Sequence, residues 1–195
     1  EAQIEKLAGP RVGVTMITSG SLASIIRGDV PFFSDEIREE WTGSTGEYGA
    51  AISQYGWQWE SRFADGGDIT GIVEWIALVG GMEKGMFLPS VSSMVGLRTA
   101  KGIEFAVGPN VSLGGVAMVF GAGYNFKFGK LNVPVNIAYV PSMNKTYNHE
   151  EKYDYVELYD EEGNDIGYEV VSPKYSVTHP TGARISVMVG FNLSK

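Results

Sequence analysis

From Tyr55 to Phe63 the chain alternates large apolar side chains with small or polar ones. Successive side chains of a β-strand point to opposite faces of the sheet, with a period of two. One face therefore carries Tyr55, Trp57, Trp59 and Phe63, and the other Gly56, Gln58, Glu60 and Arg62. The same alternation recurs along most of the chain, and it predicts eight strands. They are Arg11–Ser19, the stretch from Ala50 through Phe63, Ile69–Val79, Ser90–Arg98, Gly102–Gly108, Val116–Phe128, Leu131–Val140 and Arg184–Leu193. The clearest cases oppose Ile103, Phe105 and Val107 to Glu104, Ala106 and Gly108, and Ile185, Val187, Val189 and Phe191 to Ser186, Met188 and Gly190. The 26 glycines and the 12% aromatic content agree with an all-β chain of tight turns.

The connections carry a second pattern. Asp65–Asp68, Thr99–Lys101 and Gly129–Lys130 are short and turn-like, and they follow the second, fourth and sixth strands. The reading expects longer loops after the first, third, fifth and seventh strands, with very long ones at residues 20–49 and 141–182. Short turns at one end and long loops at the other describe an antiparallel up-and-down barrel in which residues 11–195 form the barrel and residues 1–10 a preceding segment.

A soluble barrel would show the same period, with its apolar face inward. The composition of the minor face separates the two cases. It is mostly Gly, Ala, Ser, Asn and Gln, with a few charges of both signs: Glu60, Arg62, Glu74, Arg98, Glu104 and Lys127. Small side chains with paired charges suit the cramped interior of a small barrel, which places the bulky face outside. The expected lipid-facing aromatics are Tyr55, Trp57, Trp59, Phe63, Trp75, Phe120, Tyr124, Phe126, Tyr139 and Phe191. The six interior charges are expected to form a structural network, with a narrow conducting path as the alternative reading.

With these strands and the alternating segment Arg184–Leu193, the chain resembles the small eight-stranded outer-membrane barrels of Gram-negative bacteria, of the OmpA/OmpX type. The resemblance covers Arg11 to Leu193. It implies a transmembrane barrel in the bacterial outer membrane, surrounded by lipid and lipopolysaccharide, with the termini on the periplasmic side and the long loops extracellular. One departure is that Ser194 and Lys195 follow the terminal strand, where many members end on its aromatic residue. The start Glu1–Lys6 lacks the basic and apolar regions of a signal peptide, so an exported protein is expected here in its mature form.

Functional chemistry is sparse. A net charge of −8 argues against nucleic acid as a partner. With no cysteine, disulfides and thiolate metal sites are excluded. The two histidines, His149 and His179, fall in the last long loop near Ser142, Ser172 and Ser176, without the strand–turn–helix setting of a nucleophilic serine. No catalytic residue, cofactor or metal site is therefore expected; an outer-leaflet lipid-modifying enzyme stands third.

The last loop draws attention for its charge. Between Tyr147 and Val171 lie nine acids against Lys152 alone, which equals the whole net charge of the chain. Tyr153–Tyr159 and Ile166–Val171 read as the arms of a hairpin around Asp160–Asp165. Tyr153, Tyr155, Tyr159 and Tyr168 on such a hairpin invite a protein partner. In the first long loop, Phe33, Ile37 and Trp41 share one face of a short helix that Ser34 could cap. The expected role is a structural, adhesive or scaffold component acting through its long loops, rather than an enzyme.

Overall fold

The computed structural model describes residues 7–29, 48–154, 159–164, 167 and 169–193. In chain order the elements are β1 (Gly9–Ile17), α1 (Ser21–Arg27), β2 (Ala50–Asp65), β3 (Ile69–Gly80), a 3-10 turn (Met82–Lys84), β4 (Leu88–Thr99), β5 (Ile103–Ser112), β6 (Gly115–Phe128) and β7 (Leu131–Val140). They continue as β8 (Asn144–His149), β9 (Lys152–Asp154), β10 (Glu169–Ser172), β11 (Tyr175–Pro180), β12 (Arg184–Gly190) and β13 (Asn192–Leu193). The first seven strands pair with their sequence neighbours, all antiparallel, and β12 closes the cylinder by pairing with both β7 and β1. β13 continues β12 in the same register against β7. The ladder to β7 is interrupted at Gly190 and Phe191, opposite Pro134 and Val133, where the proline has no N–H to give. The result is a closed, eight-stranded, up-and-down barrel, as the alternation and loop rhythm predict.

The period-two pattern decides which residues go inside. Along β5 the burial alternates without exception from Ile103 to Val111, with Glu104, Ala106, Gly108 and Asn110 inward. All ten aromatics expected on the outer face are exposed there, from Trp75 at 42% to Phe63 at 61%. The bulge in β2 at Phe63 lays that ring over Gly71, which has no Cβ to oppose it.

One loop differs from expectation. Only Leu113 and Gly114 separate β5 from β6, so the connection after the fifth strand is a tight turn. Pro109–Asn110 reads as a strand break, yet β5 runs through it. The β4–β5 ladder skips the positions around Gly108 and Pro109, where the proline lacks a donor, and resumes at Asn110. The Asn110 amide faces inward and donates to the Ser92 hydroxyl at 2.9 Å. A polar residue that resembles a turn former is thus an interior side chain.

At the end of the barrel where β1 finishes, the chain after β7 extends as a long antiparallel hairpin. β8 pairs with β11, then β9 with β10. The hairpin therefore starts at Asn144, earlier than the sequence reading places it. α1 lies at the same end, inside the first long loop. It ends on Gly28, whose left-handed φ of 83° suits glycine, and the N–H groups of Gly28 and Asp29 donate to the carbonyls of Ile25 and Ser24. The helix expected around Phe33–Trp41 lies outside the described residues.

Candidate functional site

The interior is built in three layers, each set by inward positions of the strands. At the end carrying Gly9 and Leu193, Arg98 is the hub of a buried charge cluster. Its guanidinium donates to both oxygens of Glu60, Nη1 at 2.8 Å and Nη2 at 2.6 Å. It also donates to Oε2 of Glu104 from Nε at 2.7 Å and from Nη2 at 2.5 Å. Glu74 stands at 3.6 Å, beyond hydrogen-bond reach of Arg98, and accepts instead from the Gln58 amide. Four expected interior charges therefore meet in one place because cross-strand pairing aligns them: Glu60 lies opposite Glu74, and Arg98 opposite Glu104. Planar two-pronged contacts to two carboxylates exploit the fork of arginine in a way that lysine could not.

The other two expected members sit elsewhere. Arg62 is half-buried and its Nε has no hydrogen-bond partner. Lys127 is exposed, four residues along β6 from Gly123, the residue opposite Glu104. The last residues of β6 reach the rim, where period-two alternation no longer separates inside from outside.

Three interior residues are not singled out in the sequence as members of this site, although Gln58 is placed on the inner face. Arg11, Gln58 and Arg184 all occupy inward phases of their strands, so the alternation itself marks them. Arg11 is buried and donates to Gln58 Oε1 at 2.9 Å, to the Pro10 carbonyl at 3.0 Å and to the Leu7 carbonyl at 2.6 Å. Leu7 is itself buried, so this residue tucks into the same end of the cylinder.

The middle layer is a cavity of about 90 Å³. Thr15, Gln54, Ser92 and Asn110 give it one polar wall, and Met94, Ala106, Val119 and Val140 pack together as an apolar one. The third layer is α1, which closes the cylinder at the hairpin end. Ala23 and Ile26 are buried against Ile17, Ile52 and Leu88. The Leu22 N–H donates to the Thr181 carbonyl at 3.2 Å, tying the helix to the segment before β12. Gly20 permits this approach, since a Cβ there would lie 2.5 Å from the Gly182 nitrogen.

On the surface, Tyr153 is exposed and its hydroxyl donates to Glu151 at 2.6 Å, which pushes the phenol above its ordinary range. Tyr159 is exposed near the hairpin tip; Tyr155 and Tyr168 lie outside the described residues. The tip is organised by Asp160. It accepts from the backbone N–H of Asn164 at 2.7 Å, from the Asn164 amide at 3.0 Å and from the N–H of Glu162 at 3.0 Å. These donors hold its carboxyl below the usual carboxylate range. Glu83, in the 3-10 turn, is likewise held low by the Ser53 hydroxyl and N–H.

Two of the serines near the histidines have other partners. Ser142 accepts from the Gly182 N–H at 3.1 Å, and Ser176 donates to Asn148 at 2.7 Å. His179 lies on β11 opposite Lys145. Among the described residues no three His, Asp or Glu side chains are grouped to hold a metal ion, and no helix is long and apolar enough to cross a membrane. A comparison with protein-family models, curated proteins and solved structures returned no match.

Proposed function

We propose that this chain is a transmembrane barrel of the Gram-negative outer membrane with a non-enzymatic role, presenting its long hairpin to a protein partner outside the cell. The observation that carries the membrane reading is the exposed apolar belt. Val14, Trp57, Trp75, Val95, Phe105, Phe120, Ile137 and Val187 come from eight different strands, and each is 40% exposed or more. Soluble monomers rarely show contiguous apolar patches beyond a few hundred Å², whereas this belt encircles the molecule. Strand stretches of about ten residues, tilted by about 40°, cover an apolar height of about 25 Å. Lipid and lipopolysaccharide would surround such a belt.

The acidic hairpin supports the partner role. It rises from β7 and β12 as two-stranded sheets whose outer edges carry no further strand among the described residues, and unpaired edges invite strand addition. Against a pore stands the filling of the interior at two levels, by the Arg98 cluster and by α1.

The membrane reading is tested on purified protein. Solubility that depends on detergent, with faster gel migration before heating than after, is the expected result; a detergent-free soluble monomer refutes it. For the partner role, whole cells are cross-linked with the intact protein or with a variant lacking residues 150–173. Cross-linked species lost only in the deletion support the role, and identical patterns refute it. Planar-bilayer recordings are expected to show no conductance.

A further inference from the structure

We propose that the central cavity is a binding site for a short-chain carboxylate, held by Arg184. This arginine opens β12, points into the barrel and borders the 90 Å³ cavity. Two of its donors are used by neutral acceptors: Nη1 donates to Ser112 at 2.9 Å and Nη2 to Asn110 at 3.0 Å. Guanidinium carries five N–H groups, so three remain. Among the described residues it has no carboxylate partner.

The other interior arginines are compensated differently. Arg98 is matched by Glu60 and Glu104 through two-pronged contacts. Arg11 is wrapped by two carbonyls and the Gln58 amide oxygen, with Gln58 linking it to the Glu74 carboxylate. A charge withdrawn from water without a counter-charge is costly. Neutral Ser112 and Asn110 fix the orientation of Arg184 but leave its charge uncompensated. A small anion entering the cavity would supply that counter-charge through the planar pairing that arginine makes with carboxylates.

The remaining walls restrict the ligand. Glu74 and Glu104 line the opposite end of the cavity and repel an anion there, which confines the carboxylate to the Arg184 end. Met94, Val119 and Val140 offer apolar contact that suits a short hydrocarbon body and not a fully hydrated inorganic ion. The volume is below the about 150 Å³ of an apolar cavity that accepts benzene, so a two- to four-carbon chain fits and a fatty acyl chain does not. Entry requires α1, which closes the hairpin end, to shift aside. Arg184 also borders a second space of about 30 Å³ beneath α1, shared with Leu22 and Leu113. The ligand would pass between α1 and the β5–β6 turn.

The test is calorimetric titration of the full chain, folded in detergent micelles, with sodium propionate and with the neutral isostere propionamide at matched ionic strength. Five-heavy-atom ligands bind weakly, so the titration runs to about 50 mM. The expected result is saturable binding of one propionate per chain and none of propionamide. Arg184→Gln is expected to weaken propionate binding by at least about tenfold, the loss of a charged hydrogen-bond donor set. Ala106→Leu, which keeps Arg184 and fills the apolar side, is expected to abolish it. Absence of saturable propionate binding, equal binding of propionamide, or unchanged binding in Ala106→Leu overturns the proposal. Unchanged binding in a folded Arg184→Gln does so too. If that variant does not fold, the wild-type and Ala106→Leu titrations decide alone.

Discussion

Replacing Arg98 by methionine removes the one cation that, among the described residues, directly contacts Glu60 and Glu104, while leaving the volume of the site nearly filled. Arg98 and Glu60 are 2% and 3% exposed, so water cannot take over the lost role without opening the barrel. Removing one partner of a buried ion pair costs about 3–5 kcal/mol. Two carboxylates are stranded here at hydrogen-bond distance, which places the expected loss at the top of that range, about 5 kcal/mol. Glu74 sits farther off at 3.6 Å and has Gln58 as its partner, so Glu74→Gln is expected to cost less than about 1.5 kcal/mol, a typical single hydrogen bond. Glu60→Gln, which breaks a two-pronged contact, falls between. The triple change Arg98→Met with Glu60→Gln and Glu104→Gln removes the charges together and is expected to recover more than half of the loss, because neutral groups tolerate burial better. The assay is reversible urea unfolding in lipid vesicles, followed by the unheated-band shift. An Arg98→Met cost below about 1 kcal/mol, the level of an exposed pair, would refute the account of this cluster. So would a Glu74→Gln cost equal to that of Glu60→Gln.

Other consequences follow from the remaining layers. Ile26→Asp puts an unpaired carboxylate into the apolar contact beneath α1, and is expected to release the helix and expose residues 20–29 to protease while the barrel still resists; an unchanged digestion pattern contradicts the plug. Asp160 is held below the ordinary range by Asn164 and Glu162 donors, so the order it gives the hairpin tip is present above its unfolded value and is lost as pH falls through the depressed folded one. Amide exchange at Glu162 and Asn164 should therefore be slow near about pH 6 and, corrected for intrinsic rates, fast once the pH falls well below the ordinary carboxylate range. Asp160→Ala should show fast exchange at both. Gly20→Val should fail to close the hairpin end, since its side chain would meet the Thr181–Gly182 backbone, and increased protease access to α1 would report it.

Most of the barrel was legible because one rule, the period of two, acts on every strand. Leu131–Val140 is bounded as the alternation predicts, and the other strands differ by a few residues at their ends. The same rule marked Glu60, Glu74, Arg98 and Glu104 as inward, although only register brings them to one point. Register is set by the turns and by closure of β12 on β1, which no single strand reveals. Pro109–Asn110 misled because a proline in a strand is read as a break, whereas the β4–β5 ladder simply omits the bonds around it. Lys127 misled for the opposite reason: its phase is inward, but it lies where the wall ends. α1 was hidden in a segment too short for helical periodicity to stand out, and its apolar run Leu22–Ile26 has meaning only when Ile17, Ile52 and Leu88 surround it. Arg184 was overlooked as the first residue of a strand, where a charge usually marks a rim.

The central claim is that the face bearing Trp57, Trp59 and Trp75 meets hydrocarbon and not water or a protein core. Single-tryptophan variants retaining Trp57 or Trp75, reconstituted in bilayers with brominated acyl chains, test it directly. The account predicts strong fluorescence quenching by the brominated lipid, with little effect of aqueous iodide. Quenching by iodide and none by the brominated chains would contradict it.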